Sequence, residues 1–289
     1  MIITGRWERN SYTVIRSLGQ GGTGKVYLVR AGDGSLRAMK VSADLTGITH
    51  EHRMLTFLNR RAGPNRLGAI PRVYELDDFQ EGGTVYHYII TQYCPGKNLS
   101  KYMGRLGNGD AAAIGLQIIE SLELLHSSGL ILGDLKPSNV LYEPRTKRVF
   151  IIDYGSVSVK GQNLKQYTPG YDRASWGAGS RIADEKFDIF ALGVLLAGLL
   201  LGEVRRPQGD GLAKFVNQAA TGIRHAKLRD IVIRALRQDI SECGEIAGVF
   251  SDIMTDTAGC ESRETGLFVG VVGAASVLAF IFSLAYYYQ

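Results

Sequence analysis

"LILGDLKPSNVLYEPRTKRVFIIDYGS", residues 130–156, crowds two acids, a lysine and an amide into one loop and the strand after it. Asp134, Lys136 and Asn139 lie close together, and two strand-like runs, "NVLYE" and "RVFIID", carry the chain on to Asp153. Two acids and an amide at strand ends can hold Mg²⁺ and accept a proton from an attacking hydroxyl. Burying that set with neither metal nor substrate would be costly, so it reads as a site rather than as stray surface polars.

Upstream, "LGQGGTGKVYLV", residues 18–29, fits two phosphate loops at once. Gly19, Gly21 and Gly24 give G-x-G-x-x-G, while Gly19 through Lys25 give G-x-x-x-x-G-K. The second pattern needs Ser or Thr after its lysine to ligate Mg²⁺, and a helix to follow. Here Val26 follows, and "VYLV" alternates like a strand. The glycines therefore belong to a hairpin whose bare backbone can lie over phosphates. Lys40 sits inside the next strand, "LRAMKV", and Glu51 lies in "HEHRMLTFL", one helical turn before Leu55. A glutamate placed there can orient the Lys40 ammonium toward phosphate oxygens.

Residues 12–92 read mostly as β, in the runs "YTVIRSL", "KVYLVRA", "LRAMKVS" and "VYHYIITQY", with one helix near residues 49–62. After "CPGKNL" the texture becomes helical, in "DAAAIGLQIIESLELLHSSG" and the apolar "EKFDIFALGVLLAGLLLG". The expected fold is α+β and bilobal, with a small β-rich lobe over 1–92 and a larger helical lobe over 93–255.

The ordered set "GQGGTG", Lys40, Glu51, "GDLKPSN", "DYG" and "DIFALG" resembles the eukaryotic-like (Hanks-type) protein kinases over about residues 10–255. "GDLKP", "YDRASWGAG" and an apolar C-terminus further resemble the tail-anchored kinases of endospore-forming bacteria. The resemblance implies a serine/threonine protein kinase using ATP and Mg²⁺, or Mn²⁺ in its place. It implies that Gly19, Gly21, Gly22 and Gly24 cover the phosphates, that Val26 lines the nucleotide, and that Lys40, held by Glu51, contacts the α- and β-phosphates. Asp134 would accept the substrate hydroxyl's proton, Lys136 would neutralise the moving phosphoryl group, and Asn139 and Asp153 would ligate the metal. Thr91 would be the gatekeeper, with adenine bonding backbone groups near Gln92 and Cys94. Asp188 would anchor the catalytic loop, with His126 as a packed core histidine.

Two departures from the family pattern stand out. Leu132-Gly133-Asp134 replaces the usual His-Arg-Asp, which removes the arginine that pairs with an activation-segment phosphate. Activity independent of phosphorylation at Ser156, Ser158 and Thr168 is the expectation. "QYTPGYDRASWGAG" also lacks Ala-Pro-Glu, Ser175 falls near the expected glutamate, and no arginine partner is evident after "IRALRQDI". Tyr171, Arg173 and Trp176 are the candidates for another brace.

The composition is that of a folded protein, 45% hydrophobic and 21% charged, with 36 glycines against 7 prolines. A net charge of +5 suits anionic partners but excludes nothing. Cys94, Cys243 and Cys260 form neither a metal cluster nor a CxxC pair, which favours a reduced, cytosolic domain. "MIITGRWERNSYTVI" has no secretory pattern. Residues 267–288, "LFVGVVGAASVLAFIFSLAYYY", carry no charge and would reach roughly 33 Å as a helix, enough to cross a bilayer. The expectation is a single-pass tail anchor in the cell membrane, reached through a tether over 256–266, with a cytosolic kinase domain. Gly266, Gly270 and Ala274 form a small-residue row that fits a homodimer within membrane lipid. Residues 223–238 set five lysines and arginines against one aspartate. That is a solvated helical face by default, with DNA or anionic lipid as the rival ligand. Against the kinase reading stand a small-molecule phosphotransferase of the same fold and a membrane-anchored pseudokinase scaffold.

Overall fold

The computed structural model of the chain describes residues 1–22, 24–63, 68–202, 204 and 211–255. The expected membrane span over 267–288, its tether and its small-residue row lie outside the described residues. Among the described residues no helix is long and apolar enough to cross a membrane.

The N-terminal lobe is a six-stranded antiparallel sheet of β1 (Ile2–Thr4), β2 (Ser11–Gly21), β3 (Gly24–Arg30), β4 (Leu36–Ser42), β5 (Val73–Glu81) and β6 (Thr84–Gln92). Its spatial order is β1-β2-β3-β4-β6-β5. A helix, α1 (Leu45–Ala62), packs on β5 and β6 and starts at Asp44, whose carboxylate accepts from the Thr46 amide at 3.0 Å. Such a cap contributes about 1 kcal/mol. Val29, Met39, Tyr88 and Ile90 are fully buried in the core of this sheet.

The inward positions of β5 are Glu75, Asp77 and Phe79, so two carboxylates are buried where a strand usually places apolar residues. Both are answered. Glu75 accepts from Tyr88 OH at 2.6 Å, Tyr12 OH at 2.7 Å and Asn10 Nδ2 at 2.7 Å. Asp77 accepts from the amides of Trp7 and Glu8. These bonds fasten residues 7–12 across the sheet, and the three-residue strand β1 lies at its edge by pairing with β2.

The chain enters the second lobe after β6 and forms β7 (Lys97–Asn98), α2 (Asn108–His126), β8 (Leu130–Ile131), β9 (Val140–Glu143), β10 (Arg148–Ile151) and β11 (Ser158–Val159). Then follow α3 (Glu185–Leu201), α4 (Gly211–Gly222), α5 (Ala226–Leu236) and a helix, α6, over 243–255. Two small sheets, β10-β9-β7 and β11-β8, carry the loops that face the N-terminal lobe. α3 is apolar on every side after its first turn and is buried almost throughout, as such a helix must be in water. It packs chiefly against α5 and α2. Its one deep charge, Asp188, points back toward β8 and is used there.

Candidate active site

The two lobes enclose a cleft of about 1060 Å³. Gly19, Gly21, Gly22, Gly24, Val26, Lys40, Glu51, Thr91, Gln92, Cys94, Asp134, Lys136, Asn139 and Asp153 all line it. Sequence positions more than a hundred residues apart thus converge on one cavity.

Its roof is the β2–β3 hairpin, in which Gly19 pairs with Val26 and Gly21 with Gly24. This is the hairpin, not the helix-opening loop, and the Walker pattern has no structural counterpart. A Cβ on Gly19, Gly21 or Gly22 would meet nothing within 4 Å, so these glycines leave open space beneath the roof. Gly24 is different. Its φ is +139°, and a Cβ there would fall 2.2 Å from the Val41 carbonyl oxygen, so only glycine lets β3 lie this close to β4. Val26 and Ala38 above and Leu141 below offer apolar walls for a flat ring. Behind them Thr91 is small, and the Cys94 thiol lies 3.5 Å from the Gln92 carbonyl oxygen. Burial pushes that thiol up to about 12.

Lys40 crosses from β4 to α1, where its Nζ lies 2.5 Å from Glu51 Oε2 and 3.7 Å from Asp153 Oδ1. Burial works against the ammonium, but the two carboxylates outweigh it and hold Lys40 above the usual lysine value. Burial, aided by Asp153, pushes Glu51 up to about 7 while Lys40 pulls it down. α1 is fastened from a second side by His50, whose Nε2 lies 2.8 Å from the Val157 carbonyl oxygen.

On the floor, Lys136 Nζ lies 2.5 Å from Asp134 Oδ2, and Asn139 Nδ2 donates to the Asp134 carbonyl at 3.1 Å. The loop owes its shape to Asp188, which accepts the amides of Leu132 at 2.8 Å and Gly133 at 2.9 Å. His126 Nε2 lies 2.9 Å from Asp188, and the Cys243 thiol sits 3.3 Å from the other ring nitrogen. Asp188 is wholly buried, and three polar partners meet its carboxylate directly. Asp153 accepts the Gly155 amide at 3.0 Å through one oxygen. Its carboxylate and the Asn139 amide oxygen are the donor set expected for Mg²⁺, which commonly takes one or two carboxylates and fills its shell with phosphates and water. Among the described residues no cluster of three or more His, Cys, Asp or Glu competes for a metal.

One contact was not anticipated from the sequence. Thr168 Oγ1 donates to Asp134 Oδ1 at 2.8 Å and receives Lys136 Nζ at 2.9 Å. The "TPGY" run that carries Thr168 was legible, but only the fold brings it across the cleft mouth.

The family model described as the protein kinase domain matches residues 12–256. This chain belongs to that family. Among curated proteins the kinase domain is 35% identical over 196 residues to the serine/threonine-protein kinase YabT of Bacillus subtilis, covering 67% of this chain and 57% of that one. It is 26% identical over 285 residues to the probable serine/threonine-protein kinase PknB of Lactococcus lactis, covering 89% and 44%. The chain thus spans about half the length of the curated relatives it matches. Among solved structures, vaccinia related kinase 3 aligns with a TM-score of 0.68 at 14% identity, covering 89% of this chain and 91% of that one. The Cydia pomonella granulovirus kinase PK-1 aligns at 0.64 and 20% identity, covering 81% and 92%. These two likenesses speak to the bilobal fold.

The brace of the kinase's activation segment proves to be a reversed ion pair. Arg173 is buried and spends all five of its N–H groups. It makes a two-pronged contact with Asp184 at 2.7 Å and 2.7 Å, and further bonds to Gln238 Oε1 at 3.0 Å and the carbonyls of Ser180 and Ile182. The cation thus lies on the segment and the anion just before α3. Beside it Asp172, also buried, meets Arg181 at 2.7 Å, and Ser175 donates to Asp172. Trp176 donates to the Gly170 carbonyl at 2.9 Å and packs on Phe190 and Phe215. Tyr171 is partly buried against the main core.

In the basic stretch over 223–238, two of the five cations are paired with acids and a third is turned onto backbone carbonyls. Lys227 lies 3.6 Å from Asp252, Arg234 pairs with Asp230 and Glu245, and Arg229 is turned onto the carbonyls of Ile223 and Arg224. That arrangement fits a solvated helical face.

Proposed function

We propose that this chain is a serine/threonine protein kinase that transfers the γ-phosphoryl group of ATP to protein hydroxyls, itself among them, while anchored to the cell membrane through residues 267–288. The observation that carries the catalytic part is the convergence of Lys40, Glu51 and Asp153 above, and Asp134, Lys136, Asn139 and Thr168 below, on one cleft. Asn139 and Asp153 are the residues that would hold Mg²⁺, and the cation there supplies charge neutralisation of the phosphates.

The remaining work falls to the protein. The glycine hairpin covers the phosphates, Lys40 steadies the non-transferred ones, and Glu51 keeps that ammonium from swinging away. Asp134 takes the proton of an incoming hydroxyl, an interaction already mimicked by the Thr168 hydroxyl at 2.8 Å. Lys136, adjacent to both, balances charge on the group in transit.

A small-molecule phosphotransferase fits less well, because the chain belongs to the protein kinase domain family and Thr168 ties the acceptor side of the cleft to the activation segment. A pseudokinase scaffold fits less well, because every phosphate- and metal-facing position carries a competent side chain. The test is transfer of label from ATP, with Mg²⁺, to protein and to amino-sugar acceptors. Label on protein alone supports the proposal; label on the sugar alone, or on neither, contradicts it. The anchor rests on the uncharged 22-residue run. Recovery of the full chain in carbonate-washed membranes, and of a chain ending at residue 255 in the soluble fraction, is the expected result.

A further inference from the structure

Gly133 occupies the place where the family pattern carries an arginine, and the structure puts something specific in the vacated space. Its φ is +81°, and a Cβ built there would fall 2.7 Å from Leu164 Cδ2 and 3.2 Å from the Ser156 carbonyl oxygen. Leu164 lies in the activation segment, is 5% exposed, and forms a small cluster with Ile131, Ala183 and Phe187 that is separate from the main core. The chain around it is pinned from both sides. The Leu164 amide donates to Arg181 at 2.9 Å, the Ala183 amide to Gln162 at 2.8 Å, and the Gly161 amide to Ala183 at 2.8 Å. Asn163 and Ile182 form an isolated bridge between the same two stretches. Four residues on, Thr168 reaches Asp134 and Lys136.

The hydroxyls of Ser156, Ser158 and Thr168 are already engaged. Ser156 is buried and donates to the Leu132 carbonyl at 2.8 Å, Ser158 donates to the Ser156 carbonyl, and Thr168 is held as above. An arginine–phosphate pair orders a segment only after a modification has occurred, whereas apolar burial acts as soon as the chain folds.

We propose that Leu164 is a positioning residue. By packing on the bare backbone of Gly133 it sets the register of the activation segment against Asp134 and stands in for the arginine–phosphate lock, so that the unphosphorylated enzyme is ordered for protein acceptors. This rests on the kinase reading above.

The test uses the full chain, expressed with a phosphatase, and compares the parent with Leu164→Ala, Leu164→Asp and Leu164→Met. The steady-state constants for a protein acceptor, Mg²⁺·ATP affinity, and tryptic cleavage after Lys165 are measured together. The phosphatase-treated parent is expected to keep its rate and to resist cleavage. Leu164→Ala and Leu164→Asp should lose about tenfold or more in kcat/KM for protein while holding ATP affinity within about twofold, and Leu164→Met should recover most of the loss. Retained ATP affinity shows that a variant is folded. The proposal is overturned if Leu164→Ala works at the parental rate, if ATP affinity falls in step with protein phosphorylation, or if the dephosphorylated parent loses its activity and regains it on autophosphorylation. A parent that binds no Mg²⁺·ATP overturns the kinase reading and this one with it; a working parent with an indifferent Leu164→Ala variant overturns this one alone.

Discussion

The hydroxyl of Thr168 lies 2.8 Å from the carboxylate of Asp134, although 34 residues separate them in the chain. That bond, together with the one from Lys136, closes a triangle at the cleft floor and makes the acceptor side of the site depend on the activation segment. It also changes how phosphorylation independence is to be tested. An alanine at 168 removes a structural hydroxyl from the catalytic loop, so lost activity in such a variant would say nothing about a phosphate.

Thr168→Ala should therefore lower kcat roughly 10- to 100-fold, the equivalent of one hydrogen bond to charged groups worth about 1.5–3 kcal/mol. Thr168→Ser, which keeps the hydroxyl, should stay within about threefold of the parent. Steady-state rates at saturating ATP and acceptor check this. Equal losses in both variants would mean that the methyl packing, not the hydroxyl, matters.

Arg173→Met removes a buried cation from five acceptors and leaves Asp184 without its partner. Losses of about 3–5 kcal/mol are usual when one side of a buried pair is deleted, and the one-third exposure of the Asp184 side chain reduces the figure here to roughly 2 kcal/mol. Denaturant unfolding should show that loss, and KM for protein should rise more than KM for ATP. Arg173→Lys should not rescue it, since an ammonium cannot reproduce the planar fork.

Tyr154 stands in the "DYG" run, and its hydroxyl is buried with no hydrogen-bond partner among the described residues. An unsatisfied buried hydroxyl costs about 1–3 kcal/mol, so Tyr154→Phe should be neutral or stabilising, by about 1 kcal/mol or some 2 °C in Tm. A fall in Tm would mean that the hydroxyl is satisfied in solution.

Both described cysteines are buried, and burial pushes the thiols of Cys94 and Cys243 up to about 12. A raised thiol value keeps the neutral form through pH 8 and delays the reactive thiolate until higher pH. Alkylation of either residue in the folded protein should run roughly 10³-fold slower than for a free cysteine, and should become fast on denaturation. Peptide mapping after brief iodoacetamide treatment at pH 8 reads this directly, and Mg²⁺·ATP should slow Cys94 further because it lines the cleft.

The parts of this molecule that were legible in the sequence are those whose chemistry is local. Asp134, Lys136 and Asn139 fall within six residues, and the glycines, Lys40 and Asp153 each sit at the end or middle of a readable strand. β5 does not stand out as a strand in the sequence because its inward positions include Glu75 and Asp77, which erase the expected apolar alternation. β1 is only three residues long and pairs with β2 through a turn whose residues Glu8 and Asn10 are held by that same buried pair of acids, some seventy positions away. The Leu164–Gly133 packing was illegible for a related reason. A glycine says that a side chain is missing, and only the fold says what fills the space. The reversed brace is half visible in the sequence: Arg173 stands out, while its partner Asp184 reads as the cap of α3, a duty it also performs by accepting the Phe187 amide at 3.0 Å.

The most direct test of the central claim is Mg²⁺-dependent transfer of the terminal phosphate of labelled ATP by the full chain and by its Asp134→Asn variant. The parent should label protein, and the variant should bind Mg²⁺·ATP within about threefold of the parent yet transfer roughly 10³-fold more slowly. A variant that transfers as fast as the parent, or a parent that neither binds the nucleotide nor labels any protein, would contradict it.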